Sequence, residues 1–385
     1  MDGSRGIRIA QSCAADPYEA AREFCAGVVQ PHMSLVLFFC SSSYERDALA
    51  SAVSAVFDGV DVVGCTTAGE IGPAGCRDNS IAGVSFAARA CTAVTGQVAS
   101  LREFQIADGQ AFVGDLLRRL EQAAPGADRS NTFAFLLVDG LSVREELLAH
   151  ALQTALGEMP LVGGSAGDGL SFGSTHVYYD GRFCSGSAVL TLITTPLPFK
   201  VFKTQHFLPT DERLVVTEAD ASRRVVKEIN GRPAAAEYAR MLHVPQSALD
   251  PAHFAASPVL VLIDGANYVR SIQKANPDGT LTFFCAIEEG VVLRVARGVD
   301  LAANLEQAFA KVRVDVGEPE LVLACDCILR KLEIDQDGLE DDVGEIYRRN
   351  RVVGFNTYGE QFCGVHVNQT LTGVAFGSGS AGTVR

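Results

Sequence analysis

Leu35-Val36-Leu37-Phe38-Phe39-Cys40 and, past a helix-forming stretch, Val62-Val63-Gly64-Cys65-Thr66-Thr67-Ala68-Gly69-Glu70 decide the fold of this chain. An uninterrupted apolar run bounded by turn residues reads as a strand buried on both faces. The second stretch reads as another strand that ends in a glycine-bearing corner, since glycine permits positive φ and close backbone approach. Upstream, Asp16-Pro17 opens a helix, with Asp at the N-cap and Pro at the first helical position. Between the two strands, Ser41 to Arg46 leads into a helix that runs to about Phe57, and a late strand covers Ser80–Ala87.

The same order recurs twice, so the chain is built from a repeated unit. The second unit reads as a helix over Gln110–Gln122, a strand over Thr132–Val138, a helix from near Ser142, a closing segment Leu161–Asp168 and a late strand Ser187–Ile193. The third reads as a helix over Asp300–Val312, a strand Glu320–Ala324 continuing into Cys325-Asp326-Cys327-Ile328-Leu329-Arg330, a closing segment Val352–Glu360 and a late strand Thr370–Phe376. An arginine (Arg46, Arg144, Arg330) precedes each closing glycine (Gly64, Gly163, Gly354) by 18, 19 and 24 residues. The acidic stretch Asp335–Asp342 lengthens the last spacing and reads as a solvated loop. Helix–strand–helix–strand order predicts an α/β fold, layered sheets covered by helices, in two domains. Residues 1–197 hold two units; residues 198–385 hold a β-rich segment, 198–299, and the third unit, 300–385. Within 198–299 the pattern predicts strands at Arg213–Thr217, Val259–Ile263, Thr280–Ile287 and Val291–Val295, a short helix after Arg232-Pro233, and a hairpin turn at Asp278-Gly279.

Among 385 residues, 48% are apolar and the net charge is −14, which excludes global disorder and argues against nucleic acid or an anionic membrane as main partner. A locally basic pocket stays compatible with that balance. The N-terminus has no apolar targeting core, and the longest apolar runs are far too short to span a bilayer. Eleven scattered cysteines without a CxxC pair fit a reducing, cytoplasmic setting.

Three separated motifs resemble the FIST family of bacterial sensory modules. Val63–Ile71 resembles the signature of its N-terminal region, Lys227-Glu228-Ile229-Asn230-Gly231-Arg232-Pro233-Ala234 the opening of its C-terminal region, and Gly354–Gln361 through His366–Thr370 its ending. The resemblance implies a cytoplasmic sensory protein that binds a small ligand, amino acids having been proposed, and signals to a partner rather than catalysing a reaction. A chain of this length without kinase, cyclase or methyl-accepting segments is similar to the stand-alone nitric-oxide-sensing haemoproteins. That subgroup implies haem b as cofactor, nitric oxide as ligand and a histidine kinase or diguanylate cyclase as partner, with homo-oligomers possible.

The three corners are the first candidate site. Thr66, Glu70, Ser165, Asp168, Asn356, Tyr358, Glu360, Gln361 and Asn368 either line a ligand cleft or satisfy turn backbone in a repeated structural corner. A haem iron needs an imidazole or thiolate; His206, with Lys200, Lys203 and Arg213 nearby to meet propionates, and His366 in the closing motif are the alternative axial ligands. Gly163-Gly164-Ser165-Ala166-Gly167 matches G-x-S-x-G, but a nucleophile elbow needs a helix after the serine and the glycine-rich continuation cannot start one. A hydrolase using Ser165 is therefore a remote reading. Cys325-x-Cys327 is a weak metal or redox signal. Helix starts near the three arginines could attract anions or be plain caps at Ser43, Ser142 or Asp326. Two functions remain in play: a haem-based nitric-oxide sensor, and a sensor of an amino acid or other small polar metabolite.

Overall fold

A computed structural model describes residues 6–57, 59–263 and 265–378. It is α/β and contains the three units. Asp16 accepts from the Glu19 N–H and Asp300 from the Ala303 N–H, so both expected N-caps form. Each unit begins with an edge strand, Ile7–Ser12, Thr92–Val98 or Phe199–Thr204, that the local pattern left unassigned. Each then runs helix, strand, helix, closing strand, hairpin, late strand.

The hairpins do not stay at home. Every unit contributes four neighbouring strands to its own sheet, in the order edge, late, first, closing, and the hairpin of another unit completes the six. The first unit's hairpin (Glu70–Gly72, Gly75–Arg77) extends the third sheet against Val352–Thr357. The second unit's (Val177–Tyr179, Arg182–Cys184) extends the first sheet, and the third unit's (Glu360–Phe362, Val365–Val367) extends the second. The exchange is cyclic, so no unit can complete its sheet alone.

All three sheets turn one face to a shared core. Phe39 stacks on Phe355 at 4.5 Å, and Phe376 meets Phe86 at 5.5 Å and Phe133 at 5.7 Å, joining residues of all three sheets. The opposite faces are covered by helix pairs: Pro17–Val28 with Arg46–Ser54, Ile106–Ala123 with Glu145–Leu156, and Leu301–Val316 with Glu340–Arg349. Strands such as Met33–Ser41 are accordingly buried on both faces, as their unbroken apolar run requires.

The β-rich segment is an insert. It starts after the edge strand Phe199–Thr204 and ends before helix Leu301–Val316, and its own sheet contains Phe207–Asp220, Val225–Ile229, Val259–Ile263, Ala266–Arg270, Ile272–Ala275, Leu281–Phe283 and Val292–Gly298. Helix Ala234–Met241 follows Pro233 as expected, and Gly279 turns the Asp278-Gly279 hairpin at φ +86°. The strand expected over Thr280–Ile287 is only Leu281–Phe283 long. One expectation fails outright. Asp335–Asp342 is not a loop: it joins helix Ile328–Asp337 to helix Glu340–Arg349 through Gly338 at φ +67°. Glu340, Asp341 and Asp342 occupy the first turn of the second helix, where carboxylates favour the helix dipole.

Candidate functional site

The three closing strands bring their corners together at one end of the shared core, where the corner backbones bond each other. Ala68 N–H donates to Asn356 O (3.0 Å), Asn356 N–H to Gly69 O (2.8 Å), Ser165 N–H to Gly359 O (2.9 Å) and Gly167 N–H to Thr66 O (2.9 Å). Much of the polar character of the corner motifs serves this junction. The Thr66 hydroxyl accepts from the His176 N–H at 3.0 Å. Glu360 accepts from the Thr357 hydroxyl (2.7 Å), the Thr370 hydroxyl (2.6 Å) and the Thr370 N–H (3.2 Å). Glu70 repeats the arrangement with the Thr67 hydroxyl, the Ser80 hydroxyl (2.8 Å) and the Ser80 N–H (3.0 Å). Burial dominates both carboxyls, pushing Glu70 up to about 7 and Glu360 to about 8. Their oxygens are committed to the fold.

The second corner departs from this scheme. Opposite Cys65 the ladder places Val177, where Gly164 faces Glu360 and Phe355 faces Glu70. Val177 therefore stands where the other units have glutamate, and Asp168 belongs to a loop between closing strand and hairpin. In that loop Asp168 accepts from the Gly173 N–H (2.7 Å) and Ser174 N–H (2.8 Å) and bonds the Tyr358 hydroxyl of the third corner. Tyr358 stacks on Phe172 at 4.8 Å.

Beside this junction opens a cleft of about 560 Å³, within the range of small-molecule sites. The loop after the first strand, Ser41–Ser43, forms one wall; corner one, including Glu70, and loop two, including Asp168, form the floor and a second wall; Lys331 and Asp335 close it. Lys331 Nζ reaches the Ala68 carbonyl at 3.3 Å and pairs with Asp78, and its side chain is only 21% exposed. Asp335 is raised by burial, with Lys331 opposing. A smaller pocket of about 190 Å³ adjoins it, sharing Asp78, Lys331 and Asp335 and adding Asn356. Lys331 and Asp78 carry no sequence signal, and Asp335 reads from sequence only as the start of a solvated acidic loop. A lysine on a helix carries no local signal, although it directly follows the noted Arg330.

Of the expected site residues, Glu70 and Asp168 line the cleft and Asn356 the adjoining pocket. Ser165, Gln361 and Asn368 come together elsewhere, under the insert. There Gln361 Nε2 donates to Ser165 Oγ (3.0 Å) and lies 3.3 Å from His366 Nδ1, while His366 Nε2 meets the Phe284 carbonyl at 3.3 Å. Gly359 permits the crowding, because a Cβ there would sit 2.2 Å from His366 Cε1. Ser165 is fully buried and the next element after it is strand Val177–Tyr179, so the strand–turn–helix of a nucleophile elbow is not formed.

The residues do not fit haem as expected. His206 is buried, with Nε2 on Glu333 (2.7 Å) and Nδ1 accepting from Arg330 (3.2 Å), so neither ring nitrogen is free for iron. Both nitrogens of His366 are likewise engaged, and burial holds its pKa down to about 4. Arg330 is no anion site either: it is buried and bonds Asp326 at 2.6 Å. Nor are the caps those expected; Glu45, not Ser43, caps its helix, and helix Ile328–Asp337 follows Cys327 rather than Asp326. Cys325 and Cys327 are buried thiols, and among the described residues no cluster of three or more His, Cys, Asp or Glu could hold a metal ion.

Comparison with known proteins gives two family matches in chain order. The model of the FIST N domain matches residues 34–232, and that of the FIST C domain matches residues 234–363. No curated protein matches the sequence significantly. Among solved structures, one described as "cyanuic acid hydrolase from A. caulinodans" aligns over 97% of this chain and 99% of that chain, at 9% identity and a TM-score of 0.36. A likeness that low bears on neither fold nor chemistry.

Proposed function

The chain belongs to the FIST family, and from that premise we propose that it senses a small polar metabolite of the α-amino-acid type, bound in the cleft between corner one, loop two and helix Ile328–Asp337. The observation that carries this reading is that Lys331, Asp78 in ion-pair contact with it, and Asp335 one turn further along the same helix all line one cleft. An ammonium beside two carboxylates complements a zwitterion: the ligand carboxylate takes Lys331, its ammonium takes the acids, and Ser41–Ser43 supply hydroxyls. The cleft walls come from the FIST N segment and the closing helix from the FIST C segment. A ligand that bridges them favours one arrangement of the two segments over others, which is what a sensor requires. A histidine kinase or a diguanylate cyclase is the class of partner that reads the change. The nitric-oxide reading has less support, because both of its alternative axial histidines, His206 and His366, are already bonded.

A thermal-shift panel of α-amino acids and other small zwitterions tests this. A ligand at 100 times its Kd adds about 2.7 kcal/mol to stability. The expected result is a rise in Tm with one or a few members of the panel, abolished in Lys331→Met. A flat panel, or a shift indifferent to Lys331→Met, contradicts it, as does stoichiometric haem binding with a Soret band that moves on adding nitric oxide.

A further inference from the structure

The chain has only six lysines and a net charge of −14, yet three of the six, Lys200, Lys203 and Lys311, line one cleft of about 410 Å³. This cleft shares no lining residue with the proposed metabolite site. Its walls are the outer strand of the third sheet, Phe199–Thr204, and one face of helix Leu301–Val316 carrying Asn304, Ala308, Lys311 and Asp315. The strand and helix are tied at one end by Thr204 Oγ1 donating to Asn304 Oδ1 at 2.8 Å.

Ordinary surface lysines are solvated or paired. Lys200 is of that kind, 3.2 Å from Asp315. Lys203 is not. Its ammonium lies 4.1 Å from the centre of the Tyr268 ring and 5.7 Å from that of Phe362, and among the described residues no carboxylate pairs with it. Burial and the like charge of Arg270 hold its pKa below the usual lysine value. Among the described residues this half-buried cation therefore has no counter-ion, and it lies next to aromatic surface. Three ammonium groups against one carboxylate leave a surplus of two positive charges in the lining.

We propose that this cleft is an anion site for a phosphate monoester on a flat, partly apolar body, the chemistry of a nucleoside monophosphate. The dianionic phosphate answers the surplus charge as a lysine-bound anion does. Phe362 and Val201 offer apolar surface to the body of the ligand. Such a site gives the protein a second input, separate from the cleft at Lys331, and it stands whether or not the amino-acid reading does.

Calorimetric titration of the full chain at low ionic strength, with AMP, inorganic phosphate and adenosine as probes, tests it. AMP or phosphate binds saturably and adenosine does not. Lys203→Met, which keeps the stem over the rings, and Lys311→Gln, at an exposed position that the fold does not need, each weaken binding tenfold or more, while Lys331→Met leaves it unchanged. Absence of saturable binding by both anions overturns the proposal. So does an affinity indifferent to both variants, adenosine binding as tightly as AMP, or an equal loss in Lys331→Met.

Discussion

Units one and three close their corners with a buried glutamate, whereas unit two closes with Val177 and a loop. Five residues separate Cys65 from Glu70 and Phe355 from Glu360, but thirteen separate Gly164 from Val177, its counterpart in the ladder. In the glutamate corners one carboxyl ties a threonine three residues back to a Ser or Thr ten residues on, and the hairpin starts at once. In unit two the extra eight residues carry Asp168 to Tyr358 and supply a wall of the cleft. Where the repeat is broken it adds a wall to the cleft, and where it is kept it buries a carboxyl at the corner.

The largest effect expected from this contrast is on stability. Glu360→Ala leaves the Thr357 hydroxyl and both Thr370 donors without an acceptor in a fully buried place, a loss of about 3–5 kcal/mol. Val177→Ala removes only apolar volume and costs about 1–2 kcal/mol. Chemical denaturation measures both, and equal losses would erase the distinction between the corners.

Next comes pH. Glu70, at about 7 in the folded chain against an ordinary 4.5, holds its proton more tightly folded than unfolded. Its contribution is therefore fully present below about pH 4.5 and is lost as pH rises through about 7. A shift of that size amounts to about 3 kcal/mol. The protonated acid is accommodated, since it can donate to Thr67, whose hydroxyl then donates to the Cys40 carbonyl at 3.3 Å. Glu70→Gln should flatten the stability–pH curve by that amount relative to the parent, whereas a Val177→Ala chain should keep the parent slope. Identical slopes for parent and Glu70→Gln would mean that this carboxyl titrates alike in the folded and unfolded chain.

The smallest effect concerns the third unit's extra helix break. Gly338 at φ +67° ends helix Ile328–Asp337, which carries Lys331. Gly338→Ala should lower stability by about 1 kcal/mol and leave ligand response at Lys331 in place. A stabilised chain would show that the left-handed turn is not needed there.

Much of the unit was legible because strands buried on both faces and capped helices leave local marks: the run Leu35–Cys40 lies within strand Met33–Ser41, and Asp16-Pro17 and Asp300 start helices. The hairpin exchange was not, since a short glycine-bearing hairpin does not encode which sheet it joins. Asp335–Asp342 misled because charge alone does not distinguish a solvated loop from the first turn of a helix. Asp168 was matched to Glu70 by its place after the glycines, and only the ladder shows that Val177 is the counterpart. The corner motifs lie at the end of the molecule where the candidate cleft opens, but most of their polar atoms hold the corners together. The groups left facing the cleft, Lys331 and Asp78, lie 253 residues apart and belong to no motif.

A crystal structure with the metabolite that gives the greatest thermal shift bears most directly on these conclusions. The account predicts ligand density between residues 67–70 and 168–171, its carboxylate on Lys331 and the Lys331–Asp78 pair opened or shared. Density at another surface, with that pair intact and the cleft filled only by water, would contradict it.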